Sequence, residues 1–341
     1  MTLKEIAKEA GVSISTVSRV VNKNSPGAAS KEVQDKIWAI VRRTGYMPNA
    51  SARTLKMGNS SHPDVSSRSI ACLFARTTDT VTDLFFTSLC RSIEQEAFKR
   101  NYMLKYSFSS FDINHPGSFR LISDHHVDGV VILGRCDKPL LKTLKTYFNY
   151  VAYTGLNHLD AKYDQIICNG EEAAIAAVSH LIRLGHKKIA YIGETKEENR
   201  YTGYQTALQN NRLSLEKKRI ANVVLSSEGG YQGAKKLLAA GCDATAYFCS
   251  NDVTAIGAMR AIQEAGLKIP EDISIISIDD IDTAQYLNPL LTTVHIPVEE
   301  MGQMTAKILI DRIEGGHRLP VKIDLPFYIA VRDSCGSPKQ R

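Results

Sequence analysis

Apolar residues recur at helical spacing over the first 45 positions and gather into short, strand-length runs beyond position 70, so a small all-helical start precedes a large α/β remainder. Ile6, Ala7 and Ala10 share one face of a first helix, which Thr2 and Glu5 open at capping-box spacing. Gly11 ends it, because a sharp turn between helices calls for positive φ, and Ser13 stands where it can cap a second helix. In that helix Val17, Val20 and Val21 face the first, leaving Ile14, Ser15, Ser18, Arg19 and Asn22 outward. A third helix is predicted after Ser30 from the recurrence of Val33, Ile37, Ile40 and Val41, with Trp38 beside them. Pro48 breaks it, and Asn49 can cap a further helix of about two turns, too short to hold in water unless packed. Residues 58–69 carry Gly, Ser and Pro and read as a linker.

From Ile70 onward apolar runs at 70–75, 103–108, 129–133, 150–153, 188–192, 245–249 and 273–278 predict strands. Helical stretches such as 171–184 and 254–265 lie between them. Strand-helix alternation of this kind implies parallel sheets covered on both faces, and about 270 residues suffice for two doubly wound lobes. Ligands of such sheets sit beyond the carboxyl ends of the strands, where two facing sheets make a cleft.

Charge sharpens the picture. Residues 1–58 hold ten Lys/Arg and four Asp/Glu, an excess of six that equals the net charge of the whole chain, so all the imbalance lies in the helical start. A local excess of this kind suits a polyanionic partner, and a second helix with a short polar face and one arginine is what a major groove admits. The alternative is an ordinary helical hairpin with a solvated face. No apolar run approaches the roughly 20 residues of a membrane span, and the N-terminus lacks the apolar core of a signal peptide, so a cytoplasmic protein with no membrane partner is expected. The seven cysteines are scattered without a CxxC pair and the nine histidines show no HxxxH spacing, which speaks against a metal site, a disulfide framework or a bound cofactor. No GxSxG, P-loop or glycine fingerprint is present, so the chain reads as a non-enzyme.

Several ordered strings together resemble the LacI/GalR family of transcriptional repressors over nearly the whole chain. The headpiece string Ala10-Gly11-Val12-Ser13 with Thr16-Val17-Ser18-Arg19-Val20-Val21-Asn22 is similar to that family's signature, and Tyr46-x-Pro48-Asn49-x-x-Ala52-Arg53-x-Leu55 to its hinge. The segments 180–193, Ser250-Asn251-Asp252, 266–274 with Asp279-Asp280, and Leu291-Thr292-Thr293-Val294 match as well.

The resemblance implies an N-terminal three-helix helix-turn-helix headpiece (1–45), a hinge helix (46–57), the linker and a two-lobed core similar to periplasmic binding proteins (70–335). It divides the core into an N-subdomain at about 70–165 and 296–324 and a C-subdomain at about 166–295 and 325–335, with a tail at 336–341. It further implies a homodimer on a palindromic double-stranded operator. Ile14, Ser15 and Arg19 then fall at base-reading positions, with Thr16, Ser18 and Asn22 nearby, and Asn49, Ala52 and Arg53 accompany Leu55, the leucine that wedges into the minor groove. Departures from the family pattern are Val33-Gln34 at the third helix and a lengthened loop at 24–29.

For a small-molecule effector the resemblance implies Phe85 and Phe86 as aromatic lining, Arg200, Asn251 and Asp279 as polar contacts, and Thr154 and Leu225 at positions where relatives often have an acid and an aromatic. Arg and Asp suit vicinal hydroxyls and an aromatic suits a sugar's apolar face, so a sugar fits best. Read without the family, Phe85 and Phe86 are core, Arg200 and Glu198 a surface ion pair, and Asp279-Asp280 a cap on the next segment. The functional alternatives are a regulator whose corepressor is a purine or phosphorylated metabolite, and a solute-binding protein with an incidental helical start. The end at Arg341, without a leucine heptad, favours a dimer over a tetramer.

Overall fold

The computed structural model describes residues 2–23, 29–44, 46, 68–75, 84–109, 127–136 and 138–339. The expected hinge helix beyond Tyr46 and all but the end of the linker lie outside the described residues, and with them Asn49, Ala52, Arg53 and Leu55.

The start of the chain is helical as its pattern predicts. Helix α1 (Leu3–Ala10) opens on a full capping box, with Thr2 Oγ1 accepting from the Glu5 amide at 3.3 Å and Glu5 Oε2 from the Thr2 amide at 2.7 Å. Gly11 closes it at φ 73°, a value that costs glycine little. Ser13 Oγ accepts from the Thr16 amide at 3.0 Å and so starts α2 (Ile14–Ser18). Here the structure departs from the single regular helix expected through Asn22. The α-helical part stops at Ser18 and Arg19–Lys23 wind as a wider π turn, on which Val20 and Val21 are both buried. Helix α3 (Lys31–Thr44) follows, with the Val33 amide donating to Ser30 Oγ, and Ile6, Val17, Ile37 and Val41 close the small core. Arg43 and Glu9 pair across its surface.

Two compact units make up the chain, one of Met1–Thr78, Glu94–Ala152 and Ala306–Leu319, the other of Asp79–Ile93, Tyr153–Thr305 and Pro320–Arg341. Among the described residues the strands form two six-stranded sheets. The first has the order β11-β5-β4-β3-β1-β2, built from β1 (Ser69–Phe74), β2 (Met103–Ser109), β3 (Gly129–Leu133), β4 (Val151–Gly155), β5 (Asp164–Ile167) and β11 (Lys322–Asp324). The second has the order β12-β10-β9-β8-β6-β7, built from β6 (Ile189–Gly193), β7 (Ile220–Asn222), β8 (Ala246–Cys249), β9 (Ser274–Asp279), β10 (Thr292–His295) and β12 (Tyr328–Ala330). Strand β1 runs parallel to β2 and β3, and β5 to β11; in the second sheet β7, β6, β8, β9 and β10 run parallel in turn, and β12 runs antiparallel to β10.

Helices α4 (Leu84–Lys99), α5 (Lys138–Tyr147), α6 (Gly170–Arg183), α7 (Asn199–Asn210), α8 (Ser227–Ala239), α9 (Asp252–Glu264) and α10 (Val298–Ile313) complete the described α-helices, with short 3-10 turns at Lys217–Arg219 and Asp282–Tyr286. Helices α8 and α9 pack backbone to backbone through reciprocal glycines. A Cβ on Gly230 would sit 1.9 Å from the Thr254 carbonyl, and one on Gly257 1.8 Å from that of Ser227. Ala234, Leu237, Ala258 and Ile262 join Ala190, Ile192, Tyr247 and Ile275 of the second sheet in one core.

Candidate functional site: a base-reading face and an effector cluster

The outward face of the headpiece starts from the Ser13 cap. Ser13 Oγ lies 2.8 Å from both Ser15 Oγ and Thr16 Oγ1, so the first turn of α2 carries a connected set of hydroxyls. Ile14 is 47 % exposed and Ser15 and Arg19 are exposed, whereas Thr16 and Ser18 are half-buried. Arg19 Nε donates to the Ser15 carbonyl at 3.4 Å, which folds its stem along the helix. Asn22 lies on the π turn, and its side chain is outside the described residues. An apolar group, short hydroxyls and one guanidinium are thereby presented on a face opposite Val17, Val20 and Val21.

The effector candidates all belong to the second unit. Phe85 and Phe86 open α4 and meet edge to face at 5.2 Å, the first buried and the second half-buried. Thr154 is fully buried in β4, and its Oγ1 has no hydrogen-bond partner among the described residues. Leu225 is half-buried between β7 and α8. Asn251 caps α9, its Oδ1 accepting from the Thr254 amide at 3.1 Å.

Arg200 sits in the first turn of α7 and is no surface residue. It is 6 % exposed and its partner Glu198 4 %, which overturns the surface-pair reading. Nε and Nη2 of Arg200 donate to the two carboxylate oxygens of Glu198 at 2.7 and 3.1 Å, and Nη1 donates to the Ser250 carbonyl at 3.0 Å. Burial opposes the guanidinium charge, but Glu198 and then Asp279 more than offset it and hold its pKa above the ordinary value. Behind this cluster Ser250 Oγ donates to the Tyr191 hydroxyl at 2.6 Å, and Tyr191, Tyr204 and Phe248 pack ring against ring.

Asp279 ends β9 at φ 135° and Asp280 follows at φ 58°, so two non-glycine residues in succession hold strained backbone at the carboxyl end of a central strand. The cap reading of this pair gives way to other partners. Asp280 binds Arg332 Nη2 at 2.6 Å and His295 Nδ1 at 2.9 Å. The carboxylate that holds the turn is Asp252, which accepts from the Ile281 amide at 2.8 Å, from Ser277 Oγ at 2.5 Å and from Thr293 Oγ1 at 2.6 Å. Burial pushes the Asp252 carboxyl up to about 6, with those three donors pulling the other way. Sequence reasoning gave neither Asp252 nor Glu198 a role in the site, naming the first only within a matching string and the second only as a surface partner of Arg200. The signals were Asp252's place in the Ser250-Asn251-Asp252 string and an acid two residues ahead of Arg200 at a helix start.

Bonds and charge thus bring Arg200, Glu198, Ser250-Asn251 and Asp279 together, while the Phe85–Phe86 pair and Leu225 stand on separate elements. Residues 2–49 match the description "Bacterial regulatory proteins, lacI family", and residues 178–335 match "Periplasmic binding protein-like domain". The HTH-type transcriptional repressor MelR of Bacillus subtilis is 30% identical over 98% of this chain and 97% of its own length. The chain belongs to the LacI family. This LacI-family protein is a DNA-binding transcriptional repressor with an effector-binding core, and not an enzyme. Among solved structures, a LacI family regulator from Enterococcus faecium with bound ribose is 28% identical over 79% of this chain and 99% of its own, with a TM-score of 0.68. The regulator CelR in complex with cellobiose shares the fold over 98% of this chain and 99% of its own, at a TM-score of 0.72 and 24% identity. No helix among the described residues is long and apolar enough to cross a membrane.

Proposed function

We propose that this repressor works in the cytoplasm as a homodimer on a palindromic operator and releases it when a sugar occupies the effector cluster. The observation that carries the reading is the buried guanidinium of Arg200 beside Asp279, a donor fork next to an acceptor of the kind that vicinal hydroxyls require. The ribose-bound relative at 28% identity supports a sugar. In this reading Arg200, Asn251 and Asp279 hold hydroxyls, Thr154 offers its unpartnered Oγ1, and Phe85, Phe86 and Leu225 supply apolar contact.

On the DNA side Arg19 pairs with a guanine edge, Ile14 meets a thymine methyl, and Ser15, Thr16, Ser18 and Asn22 bond to bases and phosphates. Residues 46–57 form the hinge, with Asn49, Ala52 and Arg53 placing Leu55 as the wedge. The linker (58–69), a core at 70–335 split at about 165/166, 295/296 and 324/325, and the tail after 335 complete the division. Release follows from linkage: a ligand that binds one conformation of the core more tightly lowers affinity for the partner bound by the other.

The test is an operator selected from a randomised duplex pool and titrated by fluorescence anisotropy with a panel of sugars. One sugar is expected to weaken operator binding about tenfold or more, within the usual range of coupling energies. Arg200→Ala should abolish that response while leaving ligand-free operator affinity in place. An Arg200→Ala protein that still responds removes this residue from the effector site, and a ligand that tightens binding reverses the proposed sign.

A further inference from the structure

Glu198 does more than neutralise a neighbour. Its Oε1 accepts both from Arg200 Nε at 2.7 Å and from the Arg200 amide at 3.2 Å, so one carboxylate grips the guanidinium and caps the first turn of α7. The N-terminus of a helix is where a phosphate or carboxylate of a ligand ordinarily finds amide donors, and here a side chain already fills that seat. Among the described residues, three of the five N–H groups of Arg200 go to Glu198 and the Ser250 carbonyl, and one on each Nη remains for a ligand. The charge is more than matched. Glu198 compensates the cation, Asp279 adds a further acidic charge that Arg200 feels, and Asp280 next to it is bound to Arg332 and His295.

We propose that Glu198 is a specificity-determining residue that sets the charge class of the effector, admitting uncharged polyhydroxyl ligands and rejecting phosphorylated or carboxylated ones. This rests on the reading of Arg200 as an effector contact. The two open N–H groups donate to hydroxyl oxygens, and Asp279 accepts hydroxyl protons. A phosphate group meets the same two donors with the Glu198 and Asp279 carboxylates close behind them. In a water-poor site that repulsion is large, and it discriminates by opposing the wrong ligand rather than by favouring the right one.

Inorganic phosphate probes the charge balance without knowledge of the effector. Thermal unfolding of the full-length protein is followed in phosphate and in chloride at constant ionic strength, for wild type, Glu198→Gln and the double variant Glu198→Gln/Arg200→Met, which controls for phosphate bound elsewhere on the chain. Wild type and the double variant are expected to respond alike. Glu198→Gln alone is expected to gain a phosphate-dependent rise in Tm of about 2–4 °C. A wild-type rise beyond that of the double variant overturns the proposal, as does a folded Glu198→Gln protein that gains nothing.

Where Glu198→Gln does not fold, the wild type decides alone, on paired sugars and sugar phosphates. Each stabilising sugar is expected to bind at least about tenfold more tightly than its phosphate ester, the ratio that one unfavourable charge contact of about 1.4 kcal/mol produces. A phosphate ester that binds as well as its parent overturns the proposal and leaves the sugar site standing. Sugar binding that survives Arg200→Met instead removes the reading of Arg200, whatever phosphate does.

Discussion

Arg19 is exposed on the face of α2, with its Nε folded back onto the Ser15 carbonyl and its Nη atoms beyond. Arg19→Ala is expected to lose about 1–3 kcal/mol of operator binding and to relax preference at one base pair, a pattern that anisotropy on single-base operator variants resolves. Asp252 acts inward. Its carboxylate accepts from three donors on β9, β10 and the turn after β9, and an amide in its place would turn N–H groups toward donors. Asp252→Asn is therefore expected to lose about 2–4 kcal/mol of stability, read from urea midpoints. The capping residues Thr2, Glu5 and Ser13 were legible because a cap and its amide lie within three positions of each other. Asp252 was not, because Ser277 and Thr293 lie 25 and 41 positions away. The Arg200–Glu198 pair was legible from its two-residue spacing, but its burial was not, since the Ser250 carbonyl that Arg200 also bonds lies 50 positions on.

At the scale of elements, the strongly apolar strands β1, β3, β8 and β9 are plain in the sequence, whereas the short strands β7, β11 and β12 are not. Those three are edge or near-edge strands with little buried surface and hence little pattern. Strand β5 hides for another reason. It begins Asp164-Gln165, yet both are buried, because Gln165 bonds the backbone of Leu159 and Asp164 accepts from the Val321 amide at 2.8 Å. The contact of α8 with α9 leaves no room for a methyl group, so Gly257→Ala is expected to lower stability by about 1–3 kcal/mol in the same urea assay. Near β7, Arg219 and Lys188 hold the Asp243 carboxyl well below its usual range. A carboxyl lowered in the folded chain stabilises it above the unfolded value of about 3.9 and loses that contribution as pH falls further. Asp243→Asn should thus flatten the loss of stability on the acid side, measured as urea midpoints between about pH 5 and 2.

Over the whole molecule the basic excess is confined to residues 1–58, while the remainder balances to zero. Operator binding should accordingly be steeply dependent on salt. An assembly that neutralises 6–10 phosphates loses about 10³–10⁵ in affinity between roughly 50 and 200 mM salt, and a flat anisotropy titration would contradict the headpiece's role. The second sheet takes its last strand, β12, from Tyr328–Ala330, and the chain after it is pinned by Ser334 to Ile275 and by Gly336 to the ring of His186. The first sheet takes β11 from Lys322–Asp324. Both halves of the core are therefore left open at one border until residues 322–330 have been made. On the ribosome the DNA-reading segment is thus complete long before either sheet of the effector-binding core can close, so a chain caught part-way carries a headpiece without a finished sensor.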